Sequence, residues 1–292
     1  MRRLHYIELG ATLFIPAHHH NILPLIQRKK IPYLKSMVID FEDGVTSQQR
    51  REGLDKLEKY LDAIDTNSAY VFIRPKDPQM LKDISLREDI QRCDGFVLPK
   101  FSLQTAPLYL EYLDATQHMF MPSFEGLEVF ENDTLQKLFE MLLPYKERIV
   151  LVRFGLEDLY KQLLLPRECA TNPFDISSIS VLLGGFIAKA KLYQFGISGG
   201  VYGCFEDEKR LRVYTQRDLN EGLFSKTTIH PKQIGVIHDV YKVDAKELEY
   251  AKKIVAQHEG VGSYNGQMIE TATMQNYADL VLQRAKLYGI RT

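Results

Sequence analysis

Very little in this chain points toward a membrane, a nucleic acid or an oxidising compartment. Only three cysteines occur among 292 residues, Cys93, Cys169 and Cys204, and none forms a Cys-x-x-Cys pair. An odd, scattered set gives no disulfide framework, so three inert thiols in a reducing cytoplasm are expected. Charge of one sign is also missing. The 37 Lys and Arg stand against 38 Asp and Glu, for a net charge of −1. Such a surface has no field to gather nucleic acid or anionic lipid, and neither is expected as a partner. No apolar run reaches the roughly 18 residues that a membrane helix needs. The start, Met1-Arg2-Arg3-Leu4-His5, carries two positive charges, but the apolar stretch after it is broken by Glu8 and by His18-His19-His20. That is a poor secretory signal. No glycine-rich phosphate loop opens a helix after the first strand, which argues against a dinucleotide-binding open sheet. Internal repeats, low-complexity tracts and interdomain linkers are absent too.

What is present is a 45% apolar composition, enough for a sizeable core, and a succession of short apolar runs. Strands are predicted at residues 11–16, 36–40, 69–74, 95–99, 118–122, 148–152, 200–202 and 226–230. Most are apolar on both faces and too short for helices, the pattern of parallel strands covered on both sides. Amphipathic stretches separate them. The clearest runs from Gln48 to Ile64, with Leu54, Leu57, Tyr60 and Leu61 on one face and Ser47 as its expected N-cap. Another runs from Phe174 to Phe195 across Gly184-Gly185. Eight strands with intervening helices predict an α/β fold, a (β/α)8 TIM barrel over 1–240. Residues 241–292 form a C-terminal helical extension expected to contact another subunit. It has a helix from Ala245 to His258, a loop from Glu259 to Gly266 and a final helix from Thr271 to Tyr288.

In a barrel, function sits where strands end. Strand two ends in Asp40-Phe41-Glu42-Asp43, strand three in Arg74 and strand four in Lys100. Strand five leads to Glu125, strand six to Glu157-Asp158, and strand eight ends in His230. Glu125 and Asp158 each have a plain reading as a carboxylate at a helix N-terminus. They could equally share a hard cation such as Mg²⁺, with water and substrate oxygens completing the shell. Arg74 suits bidentate binding of a substrate carboxylate, and the Asp40/Glu42/Asp43 cluster could orient it. His18, His19 and His20 look like a metal tract. Adjacent residues point in different directions, so a surface or substrate-pocket role is the simpler reading.

At these residues the chain resembles the citrate lyase β-subunit-like branch of the HpcH/HpaI aldolase family. Leu13-Phe14-Ile15-Pro16 resembles the family's opening strand. Val38-Ile39-Asp40-Phe41-Glu42-Asp43-Gly44-Val45 looks like its LDLEDAV segment. Gly95-Phe96-Val97-Leu98-Pro99-Lys100 looks like GVVLPK, and Phe154-Gly155-Leu156-Glu157-Asp158-Leu159 like GAEDL. The most specific segment runs from Gly222 through His230-Pro231 to Ile234 and is similar to GFDGKWAIHPxQI. The resemblance implies a TIM-barrel lyase in which Glu125 and Asp158 hold Mg²⁺. It implies that Arg74 binds the carboxylate of an oxaloacetate-, malate- or glyoxylate-like substrate, with carbon–carbon cleavage or formation through an enolate. Asp40 and Glu270 join Arg74 as the catalytic set. His18, Lys100, Glu42 and Asp43 join it as substrate-binding residues. The resemblance also implies a coenzyme A or carrier thioester as the other half, and a homo-oligomer of three or more subunits.

The chain departs from the family in four places. Pro99-Lys100-Phe101-Ser102-Leu103 loses the glutamate of PKVES. Pro16-Ala17-His18-His19-His20-Asn21 lacks the glycine and basic residue of the family's first loop, which argues against the usual thioester. Phe124-Glu125-Gly126-Leu127-Glu128 keeps the glutamate of IETAxG and changes its surroundings. Asn265-Gly266-Gln267-Met268-Ile269-Glu270 puts a glutamate where DGxMVD has its acid/base aspartate. Three readings follow: a Mg²⁺-dependent lyase, a thioesterase or malate-synthase-like relative, and a ligand-binding subunit without activity.

Overall fold

The computed structural model describes residues 4–257, 260–264 and 266–291. The charged tripeptide Met1–Arg3, His258 at the end of an expected helix, and Glu259 and Asn265 of the expected loop lie outside the described residues. The chain divides into two compact units, Met1–Ile234 and Gly235–Thr292.

In the first unit, β1 (Ala11–Pro16), β2 (Ser36–Asp40), β3 (Tyr70–Arg74), β4 (Gly95–Leu98), β5 (Met119–Phe124), β6 (Arg153–Phe154) and β7 (Lys226–Thr228) pair in parallel, in the order β6-β5-β4-β3-β2-β1-β7. The open side is closed by single bridges, Phe120 to Ile149, Val152 to Ile197 and Gly199 to Lys226. Residues 197–199 are therefore the seventh stave, three positions before the expected 200–202. The sixth stave runs on to Phe154, past the expected end at Val152. The result is the closed α/β barrel that the alternation of strands and helices predicts.

Parallel register keeps neighbours at one level on one face, so the barrel interior fills in layers. At the bottom, Ser36 Oγ lies 2.7 Å from Leu9 O and 2.9 Å from Thr12 Oγ1. Above it, Val38, Phe72, Val97, Met121 and Leu151 form an apolar layer against Phe14. Two residues further along each strand the same inward positions become Asp40, Arg74, Ser123 and Arg153. The apolar layer thus carries a charged one at the C-terminal ends of the strands. On the outer side of β7, buried Lys226 pairs at 2.5 Å with Asp218 of helix Glu208–Asn220. Gly199 permits this, because a Cβ there would lie 2.4 Å from the Asp218 carboxylate.

Several local expectations change. The helix expected from Gln48 to Ile64 breaks at Lys56 into Ser47–Asp55 and Leu57–Asp62. Its N-cap is Thr46, not Ser47. Gln49 N–H donates to Thr46 Oγ1 at 3.3 Å, and Thr46 N–H donates to the Gln49 side chain at 2.9 Å, a reciprocal capping box. The helix expected from Phe174 is Ser177–Leu192, preceded by a 3-10 turn at Pro173–Asp175. The cysteine expectation is overturned. Cys169 and Cys204 form a disulfide with Cα atoms 5.9 Å apart, and only Cys93 is a free, buried thiol among the described residues. Spacing in sequence could not show that the segments after the sixth and seventh staves fold onto each other. Tyr202 and Tyr214 hydroxyls both lie near Cys169 O, at 3.4 and 3.5 Å.

The second unit has its own core of Val243, Leu248, Ala251, Ile254, Ile269, Ala278 and Val281. Helices Ala245–Ala256 and Thr271–Tyr288 carry most of it. Two short strands, β8 (Val243–Asp244) and β11 (Ile290–Arg291), pair in parallel. The expected loop is a hairpin of β9 (Val261–Tyr264) and β10 (Gln267–Glu270), turning through Gly266 at φ +77°. Among the described residues no helix is long and apolar enough to cross a membrane.

Candidate active site

The charged layer is organised around Arg74. Asp40 and Arg74 are register partners on β2 and β3. The guanidinium meets Asp40 through two bonds, Nε to Oδ1 at 2.7 Å and Nη2 to Oδ2 at 2.6 Å. Its Nη1 lies 3.0 Å from Glu42 Oε2. Two carboxylates therefore fix the plane of one arginine, a fork that side-chain rotation cannot easily break. Burial disfavours the cation, but Asp40 and Glu42 outweigh that and raise the Arg74 pKa. The guanidinium carbon sits 5.2 Å from the centroid of the Phe14 ring, one layer below.

The Asp40–Val45 loop is held by Arg50, whose Nε and Nη2 donate to Phe41 O and Val45 O at 2.8 and 2.9 Å. Within it, Glu42 also pairs with Lys100 Nζ, which lies 3.4 Å from Asp43 Oδ1. Lys100 follows β4 at φ +49°, a left-handed conformation that turns the chain sharply at the strand end. Burial raises the Glu42 pKa against the pull of Arg74. Burial acts the same way on Asp43, but its bond with Glu42 and the charges of Lys100 and Arg74 leave it lowered.

Glu125 follows β5, and its carboxylate is buried at 6% exposure. Oε2 has no hydrogen-bonding partner. The backbone around it is tightly held. Glu128 Oε1 accepts from the N–H groups of Glu125 and Gly126 at 3.2 and 2.9 Å, and Gln162 Nε2 donates to Glu125 O at 2.6 Å. Gly155 makes room for the side chain, since a Cβ there would lie 2.4 Å from Glu125 Cγ. Burial first and Glu42 second push the Glu125 pKa up to about 8. Asp158, in the first turn of helix Leu156–Gln162, is also raised, by burial and then by Asp43.

Asp40, Glu42, Asp43, Glu125 and Asp158 are charge neighbours of Arg74, Lys100, Arg153 and, at Asp158, Lys161. The bare Glu125 oxygen and an all-oxygen donor set fit a hard divalent ion. No group of three or more His, Cys, Asp or Glu able to hold a metal occurs among the described residues. Two carboxylates with water and substrate oxygens are the pattern of Mg²⁺ rather than of Zn²⁺.

The sequence passed over Arg153. It is the first residue after the expected sixth strand, and the signal was there: Ile149-Val150-Leu151-Val152-Arg153 repeats the form of Val71-Phe72-Ile73-Arg74. Arg153 is buried, its Nη2 bonds Thr227 Oγ1, and its guanidinium carbon lies 4.8 Å from the Phe14 centroid. Burial first and Arg74 second lower its pKa to about 9.

Three sequence candidates take no part in the ion pairs of this layer. His18 lies beyond β1 with its Nδ1 buried and unpartnered. His230 stacks on Phe205 at 4.5 Å. Glu270 ends β10 in the second unit, where the Thr273 hydroxyl lies 3.1 Å from its carbonyl oxygen and 3.4 Å from Oε2. A cavity of about 730 Å³ opens at the other end of the barrel, beside Tyr6, Met119, Arg148 and Gln194, and none of the charged layer lines it.

A family model described as C-C bond lyase of the TIM-barrel fold matches residues 3–290. A (3S)-malyl-CoA thioesterase of Cereibacter sphaeroides (strain ATCC 17029 / ATH 2.4.9) is 30% identical over 274 residues, spanning 89% of each chain. The mitochondrial citramalyl-CoA lyase of Rattus norvegicus is 24% identical over 305 residues, covering 94% of this chain and 86% of its own. The crystal structure of CitE from Mycobacterium tuberculosis, in complex with magnesium, acetoacetate and coenzyme A, has a TM-score of 0.70 at 17% identity. It covers 96% of this chain and 99% of its own.

Proposed function

Because the chain belongs to the C-C bond lyases of the TIM-barrel fold, we propose that its charged layer splits a 2-hydroxy acid into a 2-oxo acid and an acyl fragment. One observation carries this reading. A buried, unpartnered Glu125 carboxylate stands with Asp158 beside an arginine locked by two carboxylates. Glu125 and Asp158 would hold Mg²⁺. The bound ion would supply Lewis-acid polarisation of the substrate's oxygen on carbon 2.

The chain's own residues do the rest. Arg74, fixed by Asp40 and Glu42, receives the substrate carboxylate without having to reorganise. Lys100 pairs with Glu42 and offsets part of the push that Glu42 exerts on Glu125. In cleavage, the hydroxyl proton leaves, the carbon–carbon bond breaks toward the acyl fragment, and that fragment's enolate takes up a proton. Glu270 is the proposed proton donor, on the likeness of its segment alone. Subunit association as a trimer or larger is likewise carried over from the resemblance.

Relatives that act on malyl-CoA and citramalyl-CoA favour an acyl-CoA as the second half. One of them is a thioesterase, which supports hydrolysis as the second reading. Incubation with (3S)-malyl-CoA or citramalyl-CoA and Mg²⁺ separates the two. A lyase releases glyoxylate or pyruvate, trapped as a hydrazone, and leaves the thioester intact. A thioesterase releases free thiol. The absence of both products, in either direction of reaction, would remove the proposal.

A further inference from the structure

We propose that Arg153 is a second anion-reading residue, so that the substrate held by Arg74 carries another oxyanion, fixed inside the barrel by Arg153 and Thr227. The inference deepens the function proposed above and rests on it.

Arg153 and Arg74 occupy the same charged layer, but their surroundings differ in one respect. Arg74 has its charge met by Asp40 and Glu42. Arg153 makes no ion pair among the described residues. Its Nη2 meets only the neutral Thr227 hydroxyl, and its Nη1 is buried without any partner. A buried guanidinium without a carboxylate is costly, and at neutral pH this one still carries its proton. Folds keep such a group where an anion arrives to complete it.

The geometry says what kind of anion. Both guanidinium carbons sit over the one Phe14 ring, at 5.2 and 4.8 Å from its centroid. They are therefore within about 10 Å of each other, the reach of one small dianion. Ser123 lies beside Arg153 as its register partner on β5. The Thr227 hydroxyl adds a second polar group from the opposite side, on β7. A carboxylate or phosphonate on the carbon next to the 2-oxo carbon would meet Arg153 while the first carboxylate meets Arg74.

Glu125 is the rival partner. Its charge is the one that favours the Arg153 cation, and its Oε2 is also bare. If Arg153 existed to neutralise Glu125, its loss would unfold or weaken the protein. If it waits for a substrate, its replacement by an apolar side chain of similar length removes an unmet charge and leaves the free protein as stable or more so.

Three probes on one carbon skeleton decide this: pyruvate, oxaloacetate and 3-phosphonopyruvate, each titrated calorimetrically into the full chain with Mg²⁺. The wild type should bind the two dianions on the order of tenfold or more tighter than pyruvate. Whichever of the two binds tighter identifies carboxylate or phosphonate as the second group. In Arg153→Met the preference should fall to within about threefold, with pyruvate binding and the ligand-free melting temperature held or raised. Arg153→Lys, which keeps the charge, should keep part of the preference. A dianion preference that survives in Arg153→Met overturns the inference. So does a variant that melts several degrees lower and loses pyruvate as well, which would make Arg153 the partner of Glu125. Wild type that binds pyruvate but no dianion more tightly refutes Arg153's role and leaves the lyase reading standing. Wild type that binds none of the three removes both.

Discussion

Replacing Glu125 by glutamine should stabilise the metal-free protein, and the gain should grow with pH. The reason lies in the raised pKa. In the unfolded chain this carboxyl titrates near its ordinary 4.5, while in the fold it titrates near 8. Below pH 4.5 both states hold the proton and nothing is lost. Between the two values the folded protein keeps a proton that the unfolded chain gives up, so stability falls as pH rises. Above about 8 the loss is complete. At roughly 1.4 kcal/mol per pH unit the full interval corresponds to about 5 kcal/mol. Relaxation and water entry at a real site reduce this to about 1–3 kcal/mol. For a chain of this size that is a melting-temperature difference on the order of 2–8 °C. Glu125→Gln keeps the shape and removes the penalty. Thermal unfolding in EDTA at pH 5, 7 and 9 tests it. The variant should match the wild type within about a degree at pH 5 and exceed it at pH 9. A variant less stable at pH 9, or a difference that does not change with pH, would refute the account of Glu125 as an uncompensated buried acid.

Other consequences can be checked with the same preparations. Asp40→Ala leaves Arg74 with Glu42 alone and should destabilise the fold by about 2–4 kcal/mol, raising KM for any carboxylate substrate more than it lowers kcat. Gly155→Ala, at φ −83°, meets no backbone strain, but its methyl would strike Glu125 Cγ. The protein should fold while its thermal response to Mg²⁺ falls by half or more in denaturation scans. Cys169→Ser, or a reductant on the wild type, opens a 35-residue crosslink. Either should cost about 3–4 kcal/mol in urea titrations, with the second change adding nothing to the first.

Much of this was legible in the sequence, for identifiable reasons. The parallel strands β1 to β5 are apolar on both faces, so burial and length alone marked them to within a residue or two. Their ends were legible because a charged residue directly after such a run has nowhere to go but the rim, as with Asp40, Arg74 and Lys100. The seventh stave was not. Residues 197–199 pair only through single bridges and contain glycine and serine, so no apolar run signals them. Misjudging the end of the sixth stave hid Arg153, since a charged residue one step past a strand reads as solvated. The Cys169–Cys204 pair depends on how two long loops meet, which no spacing encodes. The second unit's hairpin escaped because Gly260, Gly262 and Gly266 mimic a loop, and cross-strand pairing supplies what propensity lacks.

The most direct test is a calorimetric Mg²⁺ titration at pH 8, with and without saturating pyruvate, on the wild type, Glu125→Gln and Asp158→Asn. If Glu125 and Asp158 hold the ion and Arg74 the carboxylate, the wild type binds one Mg²⁺ and pyruvate tightens it. Each variant should then lose about tenfold or more in Mg²⁺ affinity and all coupling to pyruvate. Equal Mg²⁺ affinity in all three proteins, or pyruvate binding unchanged in EDTA, would contradict it.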